Sequence, residues 1–240
     1  MRMKISQSIL FIAAVHIAVL GAGCSRTMEA DGSATPTAQS ILSEPSKPDI
    51  AALKARAGQG DAAAQAQLAR AYVATDRGLP NYKEAAHWSA LAATNGNPDA
   101  QTLLGELYLA GQGVGLDPNA GVQWLTRAAD AGWVPAQYDL GYLYETGNGA
   151  PKNGPLAAKW FLLAAQGGDA LAQFNYGQRC MAGLSVQQDP IEGLKWLLLA
   201  QAQGQADATA RVAELQSSLP GDQVAEAKKR AAAFSPRKSM

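Results

Sequence analysis

The chain has 240 residues, enough for one extended solenoid or for one to two globular domains. Its 20 basic and 20 acidic side chains cancel, and no basic stripe runs along the sequence. This balance argues against nucleic acid as a partner.

The amino terminus, residues 1–23, has the pattern of a targeting segment. Arg2 and Lys4 precede an apolar run, Ile9–Leu20, that is too short for a comfortable membrane span. The next residues, Leu20-Gly21-Ala22-Gly23, lead to Cys24 and are similar to a bacterial lipobox, in which the cysteine is lipidated after cleavage. We expect a lipoprotein-type signal peptide over 1–23 and lipidation of Cys24.

An ordinary secretory signal, cut near Ala22 or Ala30, is the alternative interpretation. Ser25, rather than an aspartate, comes after the cysteine, which resembles lipoproteins sorted to the outer membrane. The expected location is therefore periplasm-facing, with a lipid anchor as the chain's contact with the membrane.

Residues 24–48 are rich in Ser, Thr, Pro and Ala and show little periodicity, so we predict a flexible tether. As a coil, such a segment spans roughly 25–30 Å. Residues 49–60 read as a single helix that caps the amino-terminal end of the repeated region.

The central part of the chain repeats itself every 36 residues, which predicts a solenoid. Four repeats are expected, over 61–96, 97–132, 133–168 and 169–204. One tryptophan recurs in each, and we predict that these four form the structural core: Trp88, Trp124, Trp160 and Trp196.

Each repeat reads as two helices separated by a turn. In the second repeat, Gln101, Leu104 and Tyr108 share one helical face. Asp117 then begins the second helix as an N-cap, and Gly132 ends it. The spacing predicts an all-α fold, a right-handed α-solenoid of helix-turn-helix repeats.

The carboxyl-terminal part departs from the period. We predict two capping helices within residues 205–234, namely Asp207–Leu219 and Gln223–Phe234. Residues 235–240 are predicted to be a disordered tail. Such atypical end units cover the apolar face that a stack otherwise exposes.

We find no pattern typical of a catalytic, metal or cofactor site. His87 has no second histidine or cysteine to share a metal. Cys180 stands where the other repeats have tyrosine, so we interpret it as a small buried residue. The sequence predicts no enzyme activity, no metal and no cofactor.

The repeated residues resemble the Sel-like repeat family, relatives of the tetratricopeptide repeats. The matching pattern is Ala-Gln, Leu-Gly, Tyr, Gly-x-Gly, an acidic or amide cap, Trp, Ala-Ala and a final Gly. The resemblance implies that the first helices line a concave, partner-binding face. Carried over by the leucine column, the implied binding residues are Arg70, Glu106, Tyr138, Tyr142, Phe174, Gln178 and Met181.

The alternative for Tyr138 and Phe174 is packing between adjacent repeats. The resemblance suggests a protein-interaction module, either a scaffold or regulator of an envelope or secretion system or an immunity protein against a toxin such as a phospholipase effector. The competing hypothesis is a cell-wall-directed enzyme or ligand binder that hydrolyses peptidoglycan or a β-lactam.

Overall fold

A computed structural model describes residues 49–74 and 78–237 of the chain. The predicted signal peptide, Cys24 and the tether lie outside these residues. The described part contains eleven α-helices and no strand. They are α1 Ile50–Gly58, α2 Ala62–Val73, α3 Tyr82–Thr94, α4 Pro98–Ala110, α5 Pro118–Asp130, α6 Val134–Thr146, α7 Gly154–Gln166, α8 Ala170–Ala182, α9 Pro190–Ala202, α10 Ala206–Ser218 and α11 Gly221–Ala232. None of these helices is both long and apolar enough to cross a membrane.

The helices pack mainly against their neighbours in sequence. We call α2, α4, α6 and α8 the first helices and α3, α5, α7 and α9 the second helices. Each first helix pairs with the second helix that comes after it, and each second helix packs against the next first helix. Contacts between sequence neighbours are the defining feature of a solenoid, so the predicted fold class is confirmed.

Glycines allow the two helices of a hairpin to approach closely. A Cβ atom added at Gly105 would lie 2.9 Å from the carbonyl oxygen of Gly121, and one at Gly177 would lie 3.0 Å from that of Gly193. Larger side chains at these positions would force the helices apart, because packed interiors leave no spare volume. The recurring small residues are therefore explained by packing.

A recurring glutamine joins each hairpin to the helix before it. The Nε2 atom of Gln137, for example, donates to the carbonyl oxygen of Ala129 at 3.0 Å. The same bond, always to the residue eight positions earlier, is made by Gln65, Gln101, Gln137 and Gln173. Each of these carbonyls also accepts the backbone N–H of the glycine three residues later, so the glutamine adds a second, buried hydrogen bond that ties the first helix to the end of the preceding helix.

The predicted helix signals are confirmed in the second helices. The N-cap side chains accept a backbone N–H at the helix start in all four: Asn81, Asp117, Asn153 and Asp189. The glycines just after these helices all have positive φ, from 81° to 94°: Gly96, Gly132, Gly168 and Gly204. Glycine adopts this left-handed conformation without a steric penalty.

The four tryptophans all pack against buried clusters, with unequal burial. Trp196 and Trp160 are buried, 2% and 6% exposed, whereas Trp88 and Trp124 are half-buried. A cation lies over the ring in three repeats: Arg127 at 4.4 Å from Trp124, Lys159 at 5.0 Å from Trp160 and Lys195 at 3.9 Å from Trp196. In the first repeat, His87 packs edge-on against Trp88 at 5.1 Å.

The carboxyl-terminal end closes the stack. Helix α10 has the pattern of a first helix, and α11 packs back against α9. Beyond α11, the ring of Phe234 lies 5.3 Å from Trp196. The backbone N–H of Arg237 donates to the carbonyl oxygen of Gln166 at the end of α7, at 2.8 Å. The sequence predicts disorder from residue 235 onward, whereas residues 235–237 lie along the third repeat.

Candidate interaction surface

The residues implied by the family resemblance lie on the first helices, and they differ in burial. Arg70, Glu106 and Tyr142 are half-buried and Gln178 is exposed, at equivalent positions of α2, α4, α6 and α8. Because stacked repeats present equivalent positions side by side, these four residues form one row. We call this row, with the side chains that border it on the first helices, the first-helix face.

Tyr138 and Phe174 occupy a more deeply packed column. Their counterparts Ala66 and Thr102 are 3% and 1% exposed. The ring of Tyr138 lies 5.8 Å from that of Phe161 on α7, and burial raises the pKa of its hydroxyl. Phe174 packs against the apolar cluster formed by α9, α10 and α11. Both aromatic rings therefore pack against neighbouring helices, and both side chains remain partly exposed.

Met181 also contacts the apolar cluster of the carboxyl-terminal helices. Its sulfur would lie 2.7 Å from a Cβ atom added at Gly193, so the thioether fills the space that this glycine leaves. Met181 is half-buried. Met181 therefore contributes a partly exposed apolar side chain to the first-helix face.

Two ion pairs link neighbouring first helices. Arg70 on α2 donates to Asp99 at the start of α4, with the shorter N–O distance 2.6 Å. Arg179 on α8 donates to Glu145 on α6, also at 2.6 Å. The Arg179 side chain is 7% exposed and lies over the ring of Phe161. Both arginines thus stabilise the relative position of adjacent repeats.

Asp139 is the residue on this face that sequence reasoning missed. It is 2% exposed, and neither carboxylate oxygen has a hydrogen-bond partner among the described residues. Burial, together with the nearby charge of Glu106, raises the pKa of the carboxyl well above its usual value, and Arg70 opposes this shift. The sequence signal was weak, because the same column holds Gln67, Leu103 and Asn175 in the other repeats and only the leucine indicates burial.

Trp133, which lies outside the repeated tryptophan column, was also missed. It occupies the N-cap position of α6, where the other three first helices carry Asp61, Asn97 and Asp169. Its side chain makes no capping hydrogen bond within the described part of the chain and instead packs against a buried cluster. The sequence signal was a tryptophan at a position where the other repeats have Asp or Asn. At this position the helix loses its side-chain cap and gains apolar packing.

The chemistry available on the described residues is limited. Cys180 is a free, buried thiol, as predicted, and burial raises its pKa to about 11. A thiol with such a pKa is almost entirely protonated at neutral pH and is a poor nucleophile. Between residues 49 and 237, apart from the undescribed 75–77, no group of three His, Cys, Asp or Glu side chains is placed to hold a metal ion.

Comparison with known proteins identifies the repeat. The Sel1 repeat profile matches residues 62–97, 98–133, 134–169 and 170–205, each starting one residue after the bounds that the spacing predicts. No curated protein matches the chain.

Many solved structures are similar to it, and two of them are compared with it below. One is a protective antigen of uropathogenic Escherichia coli with an SLR fold, at 26% identity and a TM-score of 0.69, covering 77% of this chain and 40% of that protein. The other is a Sel1 repeat protein from Oxalobacter formigenes, at 35% identity and a TM-score of 0.63, covering 69% of this chain and 48% of that protein. The chain thus spans less than half the length of either structure.

Proteins built from Sel1 repeats generally mediate protein–protein interactions and are generally not enzymes. The profile matches cover four consecutive units and more than half of the chain, in the same register as the helical hairpins. The resemblance predicted from the sequence is therefore confirmed: the chain belongs to the Sel1 repeat family.

Proposed function

We propose that the protein is a non-enzymatic interaction module that binds a protein partner through its first-helix face. The observation that supports this most is the contrast along the row Arg70, Glu106, Tyr142 and Gln178. These equivalent positions differ in every repeat and stay partly exposed, whereas the surrounding glutamine and glycine columns are nearly uniform. Residue changes at exposed positions of a regular scaffold are what partner selectivity requires.

We further propose that the module works in the cell envelope. The lipobox-like segment before Cys24 supports an anchored lipoprotein that faces the periplasm, on the outer membrane. Two roles fit such a protein: a scaffold or regulator of an envelope or secretion system, or an immunity protein that binds a secreted toxin such as a phospholipase effector. A neighbouring gene for a secreted lipase would favour the immunity role.

Affinity capture from envelope extract tests the proposed binding face. The bait is the Ser25–Met240 chain, compared with its Tyr142→Ala variant and with Gln123→Ala, an exposed position on the second helix α5. We expect a specific partner that the wild type and Gln123→Ala retain and that Tyr142→Ala loses by about tenfold or more, because interface tyrosines often dominate binding energy.

The unfolding midpoint of each variant is measured in parallel. Equal capture by Tyr142→Ala and the wild type would contradict the first-helix face as the binding site. Lipidation is tested separately: a Cys24→Ala chain expressed in a Gram-negative host should lose its association with the outer membrane, and unchanged fractionation would contradict the anchor.

A further inference from the structure

Most of the exposed leucines in the described part of the chain lie at one edge of the stack. At this edge the chain turns from the first to the second helix of each hairpin, as where the backbone N–H of Asp117 donates to the carbonyl oxygen of Tyr108 at 3.0 Å. We call the four turns the loop edge: residues 78–81, 111–117, 147–153 and 183–189. Three leucines in these turns are 98%, 61% and 59% exposed: Leu79, Leu116 and Leu184. The other exposed leucine, Leu91, lies near the end of α3, away from the turns.

The turns form one continuous row, because each packs against the hairpin before it. A Cβ atom added at Gly113 would overlap the backbone of Tyr82 at the start of α3. One added at Gly149 would lie 3.8 Å from the first residue of α5. At the start of α7, a Cβ atom on Gly154 would overlap the hydroxyl of Ser185 in the last turn. The exposed leucines therefore lie along a single edge.

The chain enters the stack on the side of this edge. The carbonyl oxygen of Ala57, in the last turn of α1, accepts a hydrogen bond from Gln65 at 3.1 Å, the bond that the ends of α3, α5 and α7 also make. Helix α1 therefore runs in the direction of a second helix, with its amino end toward the loop edge. Accordingly, Ile50 at the start of α1 packs against the same cluster as Tyr72 in the last turn of α2.

We propose that the loop edge docks on the surface of the membrane that carries the lipid anchor, with its leucine side chains in the interfacial region of the bilayer. This inference rests on the proposed anchoring at Cys24. As a coil, residues 24–48 span roughly 25–30 Å, so they hold the loop edge near the bilayer. A short linker gives an effective concentration in the roughly millimolar range, so weak contacts suffice. Transfer of leucine side chains out of water supplies such contacts.

A lipid surface fits this edge better than a protein pocket does. The leucines occupy different positions in their turns, so they do not form a row of equivalent residues like that of the first-helix face. A fluid bilayer accommodates irregular spacing because its lipids rearrange around each side chain. The charged residues of the loop edge nearly balance, with Lys152 against the N-cap residues Asp117 and Asp189. Docking therefore depends on apolar contact and not on anionic lipid.

Docking at the loop edge leaves the first-helix face open, because the helix axes run away from this edge. Arg70, Glu106, Tyr142 and Gln178 lie about one turn before the ends of their helices. The docked protein would therefore present its proposed binding face at an angle to the bilayer and close to it.

Co-sedimentation with phosphatidylcholine vesicles tests the docking. The Ser25–Met240 chain, which contains all the described residues but no anchor, is used at a roughly millimolar lipid concentration to match the effect of the tether. We expect the wild type to bind, Leu116→Gln to bind about threefold more weakly, and a Leu79→Gln, Leu116→Gln, Leu184→Gln variant to bind about tenfold more weakly or worse. Leu91→Gln is the matched control and should change binding by less than about twofold. Unfolding midpoints, measured in parallel, should be unchanged because these side chains are exposed.

Several results would overturn the inference. They are no binding by the wild type, equal binding by the wild type and the triple variant, and binding that requires anionic lipid. Loss of the captured envelope protein by the triple variant, with vesicle binding unchanged, would assign the loop edge to a protein partner instead. The vesicle assay needs neither Cys24 nor Tyr142, so the variants at those residues test the proposed function separately.

Discussion

The first and second helices of the same hairpins show two different patterns of repetition within one chain. The second helices repeat their cap, tryptophan and closing glycine in every copy and carry four basic and three acidic side chains. The first helices keep their glutamine but vary their half-exposed positions, with two basic and four acidic side chains. The comparison indicates that the second helices maintain the stack, and under the proposed function the first helices determine what it binds.

The largest expected effect is the loss of a buried ring on the second-helix side. Trp196→Ala should destabilise the protein by about 3–5 kcal/mol, because the 2% exposed indole packs against Phe234 and Tyr176 and would leave a cavity. Trp88→Ala, at a half-buried ring, is the matched control and should cost less. Urea denaturation measures both, and equal losses would contradict the packing role of Trp196.

The next largest effect is a gain in stability, at Asp139 on a first helix. Asp139→Leu, which installs the residue of the second repeat, should stabilise the protein by about 1–3 kcal/mol near neutral pH. The pKa of Asp139 is raised in the folded state, so the wild type loses stability as the pH rises above the usual aspartate pKa, and the difference should shrink below about pH 4.

Chemical denaturation at several pH values checks this gain. A variant that is less stable than the wild type at every pH would show that Asp139 is held by interactions that its burial does not reveal.

The glutamine that recurs in every first helix should affect stability and not partner binding, as we expect for the residues of the second helices. Gln137→Met keeps the side-chain volume and removes the hydrogen bond to the carbonyl of Ala129. We expect a loss of about 0.5–1.5 kcal/mol, the usual net value of one hydrogen bond, because the carbonyl of Ala129 still accepts the backbone N–H of Gly132, with partner binding unchanged. Hydrogen exchange should show the loss concentrated at the junction of the second and third repeats, and uniform loss along the chain would contradict this.

The smallest effect concerns the cations that lie over the tryptophan rings. Lys159→Ala removes the ammonium 5.0 Å from the centre of the Trp160 ring. Because Lys159 is exposed, the loss should be about 0.5–1 kcal/mol. Lys83→Ala, which changes an exposed lysine on α3, is the control. If Lys159→Ala and Lys83→Ala shift the thermal midpoint equally, the Lys159–Trp160 pair has no stabilising role.

The regular part of the fold could be predicted from sequence because the same residue solves the same physical problem in each copy. Asn81, Asp117, Asn153 and Asp189 cap their helices, as the spacing indicates. Of the tryptophan column predicted to form the core, Trp160 and Trp196 are buried, whereas Trp88 and Trp124 are half-buried. A 36-residue period provides four independent readings of each position, so chance matches are averaged out.

The features that could not be predicted occur where one copy differs from the others. The burial of Asp139 depends on its neighbours, since the same column holds exposed Gln67 and buried Leu103. The path of α11 and the tail obeys no period at all, and the contact between Arg237 and Gln166 joins residues far apart in sequence. The candidate site depends on both kinds of information, because its row comes from the repeat and its unpaired carboxyl from three-dimensional packing.

The return of the carboxyl-terminal tail to the third repeat has a consequence for how this protein can change its length. Since α11 covers α9 and Arg237 bonds α7, the last two repeats and the tail form one interlocked end piece. A hairpin inserted between α7 and the tail would separate Arg237 from Gln166. We therefore expect an added hairpin to be tolerated better upstream of α7, where each helix contacts its sequence neighbours, than downstream of it.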